Sequence, residues 1–292
     1  LEKPRSRSAK AFKTALKIAF SALALWLVLS KVSPAEIAGL LRNASWPMLG
    51  VALVAFNVSK WYSAIRLRHL WGAIGVPITP AENLRLYYIG MFYNLFLPGG
   101  IGGDGYKVYY LHKRFGSGTR LLLAAVLLDR VAGAALLLGL ALAMALFAPA
   151  LMELLPEWAW WLVAIAAALS VPALIGVMHY FFPSCKQATK AVVWWSFRVQ
   201  AAQVICAWFI MRAIGIDGDD LLYLVLFLVS SLAAMLPISF GGVGLRELLF
   251  FYAATFLPID QTSAVALGLV FFLITALSSF AGVFLKVERA VS

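Results

Sequence analysis

A chain of 292 residues that is 63% hydrophobic and only 13% charged, with a mean hydropathy of +0.90, carries more apolar surface than a water-facing core can bury. Soluble domains run at about 45–50% apolar and about 25% charged, so a secreted or cytosolic globular enzyme, a disordered protein and a coiled coil are excluded. What remains is an all-α polytopic membrane protein. The net charge of +11 raises nucleic acid as a partner. There is no nucleic-acid motif and no basic helix with interleaved aromatics, so the charge is assigned to cytoplasmic loops facing anionic lipid.

In chain order, Lys3, Arg5, Arg7 and Lys10 precede, and Lys13 and Lys17 open, a first span at about 12–30. The basic start imitates a signal peptide, but Lys31 to Glu36 offers no small-residue cleavage site, and the span is read as uncleaved. Residues 34–44 predict a short interfacial helix. Full spans follow at about 46–66, 119–148, 158–180, 190–213 and 260–286. Trp158, Trp160 and Trp161 form an aromatic belt at the start of the fourth span. Cys185 and Cys206 imply neither a disulfide framework nor a metal site. His69, His112 and His179 are too scattered to hold a metal, and no cofactor is expected.

Two further apolar segments, 81–115 and 220–257, are broken in the middle. The first break reads Leu97-Pro98-Gly99-Gly100-Ile101-Gly102-Gly103-Asp104-Gly105-Tyr106-Lys107. The second reads Leu236-Pro237-Ile238-Ser239-Phe240-Gly241-Gly242-Val243-Gly244-Leu245-Arg246. Both follow L-P-x-x-x-G-G-x-G-x-[K/R], 139 residues apart. The same offset maps Thr119–Ala148 onto Pro258–Val287. The chain therefore reads as one transmembrane domain, 1–292, built of two repeats at about 46–148 and 186–287. Each broken segment is too long for one span and short for two, so it predicts a re-entrant hairpin. Proline breaks the helix and glycine permits the bend. With the N-terminus inside, the loops carrying Arg66, Arg68, Lys113, Arg114, Lys186, Lys190, Lys286 and Arg289 are cytoplasmic, and Glu153, Glu157, Asp217, Asp219 and Asp260 lie outside. The expected fold is thus six full transmembrane helices plus two hairpins in an inverted repeat, with both termini cytoplasmic.

Half-helices starting at Gly103 and Gly242 direct free N–H groups and the positive dipole end into the membrane. Gly99, Gly100, Gly102, Gly103, Gly241 and Gly242 let an anion approach the backbone, and Lys107 and Arg246 add full charges. Asp129 and Arg130 lie about 15 Å into their span and Arg198 about 12 Å into its own. At depth, Lys60, Lys107, Arg130, Arg198 and Arg246 outnumber Asp104, Asp129 and Glu247, which suits an anionic substrate such as a phosphate. Structural readings compete. Asp104 caps the half-helix that follows it, Lys60 snorkels, Asp129 pairs with Lys107 or Arg246, and Arg130 pairs with Glu247. Ser230, Ser231, Ser278 and Ser279 glue helices together. The G-x-G-x-x-G match at Gly100 to Gly105 follows a membrane helix rather than a strand and carries no dinucleotide site.

The stretches Asn94 to Lys107, Leu128-Asp129-Arg130-Val131-Ala132-Gly133 and Leu236 to Glu247 resemble the transmembrane region of the lysylphosphatidylglycerol synthase family, which is flippase-like. The resemblance implies a lipid transporter rather than an enzyme and adds Asn94 to the candidate residues. In the best-known members a separate soluble domain makes the aminoacylated lipid. This chain ends at Ser292 and is expected to be a stand-alone member. The substrate expected is an anionic lipid in the cytoplasmic (inner) membrane, such as aminoacyl-phosphatidylglycerol or a polyprenyl-phosphate-linked lipid. Two alternatives stand beside it: a non-transporting partner subunit of a lipid synthase or glycosyltransferase, and a membrane-embedded lipid-modifying transferase using Asp104, Asp129 and Glu247.

Overall fold

The computed structural model describes residues 34–96, 101–235 and 244–287. The described elements are α1 (Pro34–Arg42), α2 (Trp46–Ala73), α3 (Pro80–Phe96), α4 (Gly102–Phe115), α5 (Thr119–Ala145), α6 (Glu157–Phe181), α7 (Thr189–Ala213), α8 (Asp220–Ala234), α9 (Leu245–Phe256) and α10 (Gln261–Phe284). Short helical turns at Pro149–Met152 and Pro183–Ala188 join α5 to α6 and α6 to α7.

Four of these helices, α2, α5, α6 and α10, are long and apolar enough to cross a membrane. The expected span at 12–30 lies outside the described residues. The span expected at 190–213 forms as the 25-residue α7, long enough to cross, but Arg198, Gln200 and Gln203 dilute its apolar character, and its composition does not mark it as a crossing. The second expected span also needs correction. No proline or glycine follows Arg66 for five residues, so α2 continues to Ala73 and the chain turns at Gly75, whose φ of +79° suits glycine. Arg66, read from sequence as a loop residue, is therefore inside the helix and 5% exposed.

The broken segments fold as pairs of short helices. α3 and α4 have 17 and 14 residues, about 25 and 21 Å at 1.5 Å per residue, each short of the ~30 Å hydrocarbon core. They run antiparallel. The Tyr110 hydroxyl near the end of α4 donates to Glu82 Oε1 at the start of α3, and Arg114 Nε lies 3.0 Å from the same oxygen. Between these ends the helices touch backbone to backbone, since a Cβ on Gly103 would come within 1.8 Å of the Gly90 carbonyl oxygen. α8 and α9, of 15 and 12 residues, close in the same manner. The Tyr223 hydroxyl in the first turn of α8 accepts from the N–H of Asp260, just past α9, at 3.0 Å. Asp219 caps α8 by accepting from Leu222 N, and Asp260 caps α10 by accepting from Ser263 N.

At the centre α2 packs along α7, flanked by α3 against α10 and by α5 against α8. Phe271 joins two of these layers, its ring edge-on to Phe56 at 5.5 Å and to Phe227 at 4.7 Å. Ser278 on α10 accepts from Asn57 Nδ2 at 3.0 Å, and Tyr88 donates to Asn57 Oδ1 at 2.7 Å, which links α3, α2 and α10. α6 is a flank. It touches α5 closely where Gly139 faces Ser170, buries Leu174 and Met178, and leaves Trp158, Trp161, Ile165 and Leu169 outward.

Candidate functional site

The first hairpin and its neighbours hold a closed set of charges. Asn94 Oδ1 accepts from the N–H of Gly103 at 2.8 Å, satisfying a free donor of the first turn of α4 from the opposite arm. Asp104 does not cap that helix, because the capping position is Ile101. Its carboxylate instead bridges Lys107 Nζ at 3.0 Å and Arg130 Nε at 2.5 Å. Arg130 thus pairs with Asp104 and not with Glu247. Asp129 pairs with neither Lys107 nor Arg246 but with Arg66, Nε to Oδ1 at 2.7 Å, and Arg66 Nη1 donates to Ser196 Oγ at 3.0 Å. Sequence neighbours on a helix point to different sides, so Asp129 turns to α2 while Arg130 turns to α4. The Arg66 guanidinium lies over Gly133, one turn on, where a Cβ would make ordinary contact with both Nη atoms at 3.5 Å. Lys107 is enclosed as well, with Nζ 4.7 Å from the centre of the Tyr87 ring and its stem against Gly90. Asp104, Lys107 and Asp129 are all buried.

The second hairpin differs. Arg246, in the first turn of α9, places its guanidinium 4.5 Å from the Phe271 ring centre and 5.4 Å from that of Phe227. Its stem crosses Gly268, where a Cβ would lie 3.5 Å from Cγ and Cδ. Glu247 folds back on its own helix, with Oε2 accepting from Gly244 N at 2.8 Å. Among the described residues Arg246 has no ion pair, and Arg246 Nη1 and Glu247 Oε1 have no hydrogen-bond partner although the two residues are 9% and 1% exposed.

These groups line a cavity of about 270 Å³ between α2, α7, α9 and α10, with Tyr87 of α3 and Gly133 of α5 at its wall. Its charged lining is Lys60, Arg66, Arg246 and Glu247, joined by the amides of Gln200 and Gln203 and the hydroxyls of Ser63, Ser231 and Thr275. Lys60 does not snorkel outward. It shares a face of α2 with Phe56 and Ser63, lines the cavity and lies 4.4 Å from the Phe56 ring centre. Gln200 donates through Nε2 to the Gly133 carbonyl at 3.0 Å, and its Oε1 is unpaired among the described residues. A buried polar atom left unpaired costs about 1–3 kcal/mol, and three of them on one cavity point to a ligand that completes them. Arg66 brings little free charge because Asp129 neutralises it. Lys60 and Arg246, with no carboxylate in ion-pair range among the described residues, face the single carboxylate of Glu247. The cavity therefore favours an anion. A roomier cleft of about 490 Å³ at the end of α2, lined by Arg68, His69 and Gln187 among others, holds none of the candidate residues and none of the unpaired buried atoms.

Of the sequence candidates, Arg246 and Glu247 line this cavity, while Asp129 reaches it only through Arg66. Asn94, Gly102, Gly103, Asp104, Lys107 and Arg130 belong to the first hairpin and its supports. Gly99, Gly100, Gly241 and Gly242 lie outside the described residues. Arg198 is not brought to the cavity. It sits among the rings of Trp194, Trp195 and Tyr62 at 4.6, 4.9 and 5.8 Å. Sequence reasoning missed Arg66, Tyr87 and Gln200 as cavity residues. Arg66 is detectable, because no helix stop follows it before Gly72.

Membrane-length helices around a buried cationic chamber define a multi-pass membrane protein with a polar interior. The family model of the lysylphosphatidylglycerol synthase transmembrane region matches residues 14–282, and the chain belongs to that family. Membership makes it a membrane protein related to lipid synthesis or flipping. No curated protein matches the chain.

Proposed function

We propose that the chain moves a lipid with an anionic, phosphate-bearing head group between the leaflets of the cytoplasmic membrane, without chemical change to the lipid. The head group crosses through the cavity and the tails stay in the bilayer. The observation that carries this reading is Arg246, a buried guanidinium without a carboxylate partner among the described residues, facing a chamber large enough for a phosphate ester. A transferase would need a free acid–base pair, whereas Asp104 and Asp129 are each committed to cations, which leaves Glu247 Oε1 as the one buried carboxylate oxygen of the three acids without a partner among the described residues.

The two hairpins dip from opposite faces as an inverted repeat, the arrangement that gives alternating access to a central site. Paired contacts support this. α3 on α10 is matched by α5 on α8, and α3 on α4 by α8 on α9. The loop charges support hairpin 1 opening inward and both termini being cytoplasmic. The reading is tested in proteoliposomes holding tail-labelled phosphatidylglycerol, with a membrane-impermeant quencher added outside. Protein-dependent loss of the inner-leaflet signal is expected, and rates equal to protein-free vesicles contradict it. Single cysteines at 115 and 258 should label from opposite faces; labelling from one face contradicts the inversion.

A further inference from the structure

The cavity holds unpaired acceptors as well as an unpaired donor. Glu247 Oε1 and Gln200 Oε1 are buried without a partner among the described residues, and both residues line the chamber that Arg246 faces. The Gln200 amide is held in one orientation, because Nε2 donates to the Gly133 carbonyl and leaves Oε1 as the free end. Glu247 is likewise fixed, with Oε2 on Gly244 N and Oε1 free. A bare phosphate ester satisfies Arg246 and Lys60 but brings nothing to these two oxygens, since it too is an acceptor. Filling the chamber with such a head group brings no donor to either oxygen.

We infer that the ligand is a phospholipid whose head group carries hydrogen-bond donors beyond its phosphate, hydroxyl or ammonium groups that reach Gln200 Oε1 and Glu247 Oε1 while the phosphate meets Arg246. This deepens the anionic-lipid reading and rests on it. The site separates lipids of equal charge by their donors. A buried acceptor that stays unpaired penalises the wrong ligand, and that penalty discriminates more sharply than an added attraction.

The experiment is competitive binding to the purified full chain, read by native mass spectrometry, with two matched pairs of lipids. Phosphatidylglycerol and phosphatidylmethanol are both singly anionic and differ by the glycerol hydroxyls. Phosphatidylethanolamine and phosphatidylcholine are both zwitterionic and differ by the ammonium donors. Retention of phosphatidylglycerol over phosphatidylmethanol by about tenfold or more is expected, with the same direction in the second pair. Gln200→Leu should shrink the first ratio towards one while Arg246 still holds both anions. Should that variant fail to fold, the wild-type ratios decide alone. Equal retention within each pair overturns the inference and means that water serves the two oxygens. Retention of neither anion overturns the anion site itself, and this inference with it.

Discussion

The two hairpins carry one motif and end in different electrostatics. Lys107 and Arg246 stand 139 residues apart at the same motif position. Lys107 has Asp104 one turn earlier, and the span behind it carries Asp129. At the same offset from those acids the second repeat has Val243 and Gly268. The first hairpin is therefore an ion-paired scaffold in which Asp104 takes two cations and Asp129 takes Arg66. The second leaves a cation facing the cavity. The motif supplies a bend and a positive charge, and the acids around it decide whether that charge is structural or free for a ligand.

Removing an acid from the scaffold should have the largest effect. Asp129→Leu strands the buried Arg66 and should cost about 3–5 kcal/mol, read as loss of monodisperse protein and a lowered thermal transition in detergent. Arg66→Met in the same background should restore most of it; no restoration would mean the pair is not what Asp129 contributes. Supplying an acid to the other repeat should do the opposite. Gly268→Asp sets a carboxylate beneath the Arg246 stem, where a Cβ makes ordinary contact. It should raise thermal stability and slow phosphatidylglycerol flipping roughly ten- to a hundred-fold, the worth of a charged hydrogen bond. Unchanged flipping with raised stability would show that the Arg246 charge is not used. Gly103→Ala tests the scaffold sterically. Its methyl would meet the Gly90 carbonyl, a strain of about 1–3 kcal/mol, visible as a lower transition and greater proteolysis between α3 and α4. The smallest effect is expected at Arg198. Losing its ring contacts in Arg198→Ala should cost about 0.5–1 kcal/mol and leave flipping per folded molecule intact; a large transport defect would place the lipid path on the outer face of α2 and α7.

What the sequence revealed was local. Pro98, Pro237 and the glycine clusters mark breaks because their backbone chemistry acts within a few residues, and the short paired helices followed. The deep charges could be counted but not paired. Five cations against three acids read as surplus charge around both hairpin tips, yet the partner of Asp129 is Arg66, 63 residues away and assigned to a loop because twenty residues from Trp46 already cover the ~30 Å core. Once α2 is allowed to run on to Ala73, Asp129 is taken by Arg66, and Lys60 and Arg246 are the cavity cations with no carboxylate in ion-pair range among the described residues. Gln200 had no local signal at all. It reads as one of several polar residues on α7, with Ser196, Arg198 and Gln203, and gains meaning only from Gly133 across the α5–α7 contact.

The most direct test places Lys107→Gln and Arg246→Gln side by side in proteoliposomes, with flipping of tail-labelled phosphatidylglycerol normalised to folded protein. Arg246→Gln should fold as well as the unmodified chain and flip about ten- to a hundred-fold more slowly. Lys107→Gln should melt lower while its folded fraction flips at near the unmodified rate. Equal flipping defects at the two positions, or a defect at Lys107 alone, would contradict the division between an ion-paired first hairpin and an anion-binding second one.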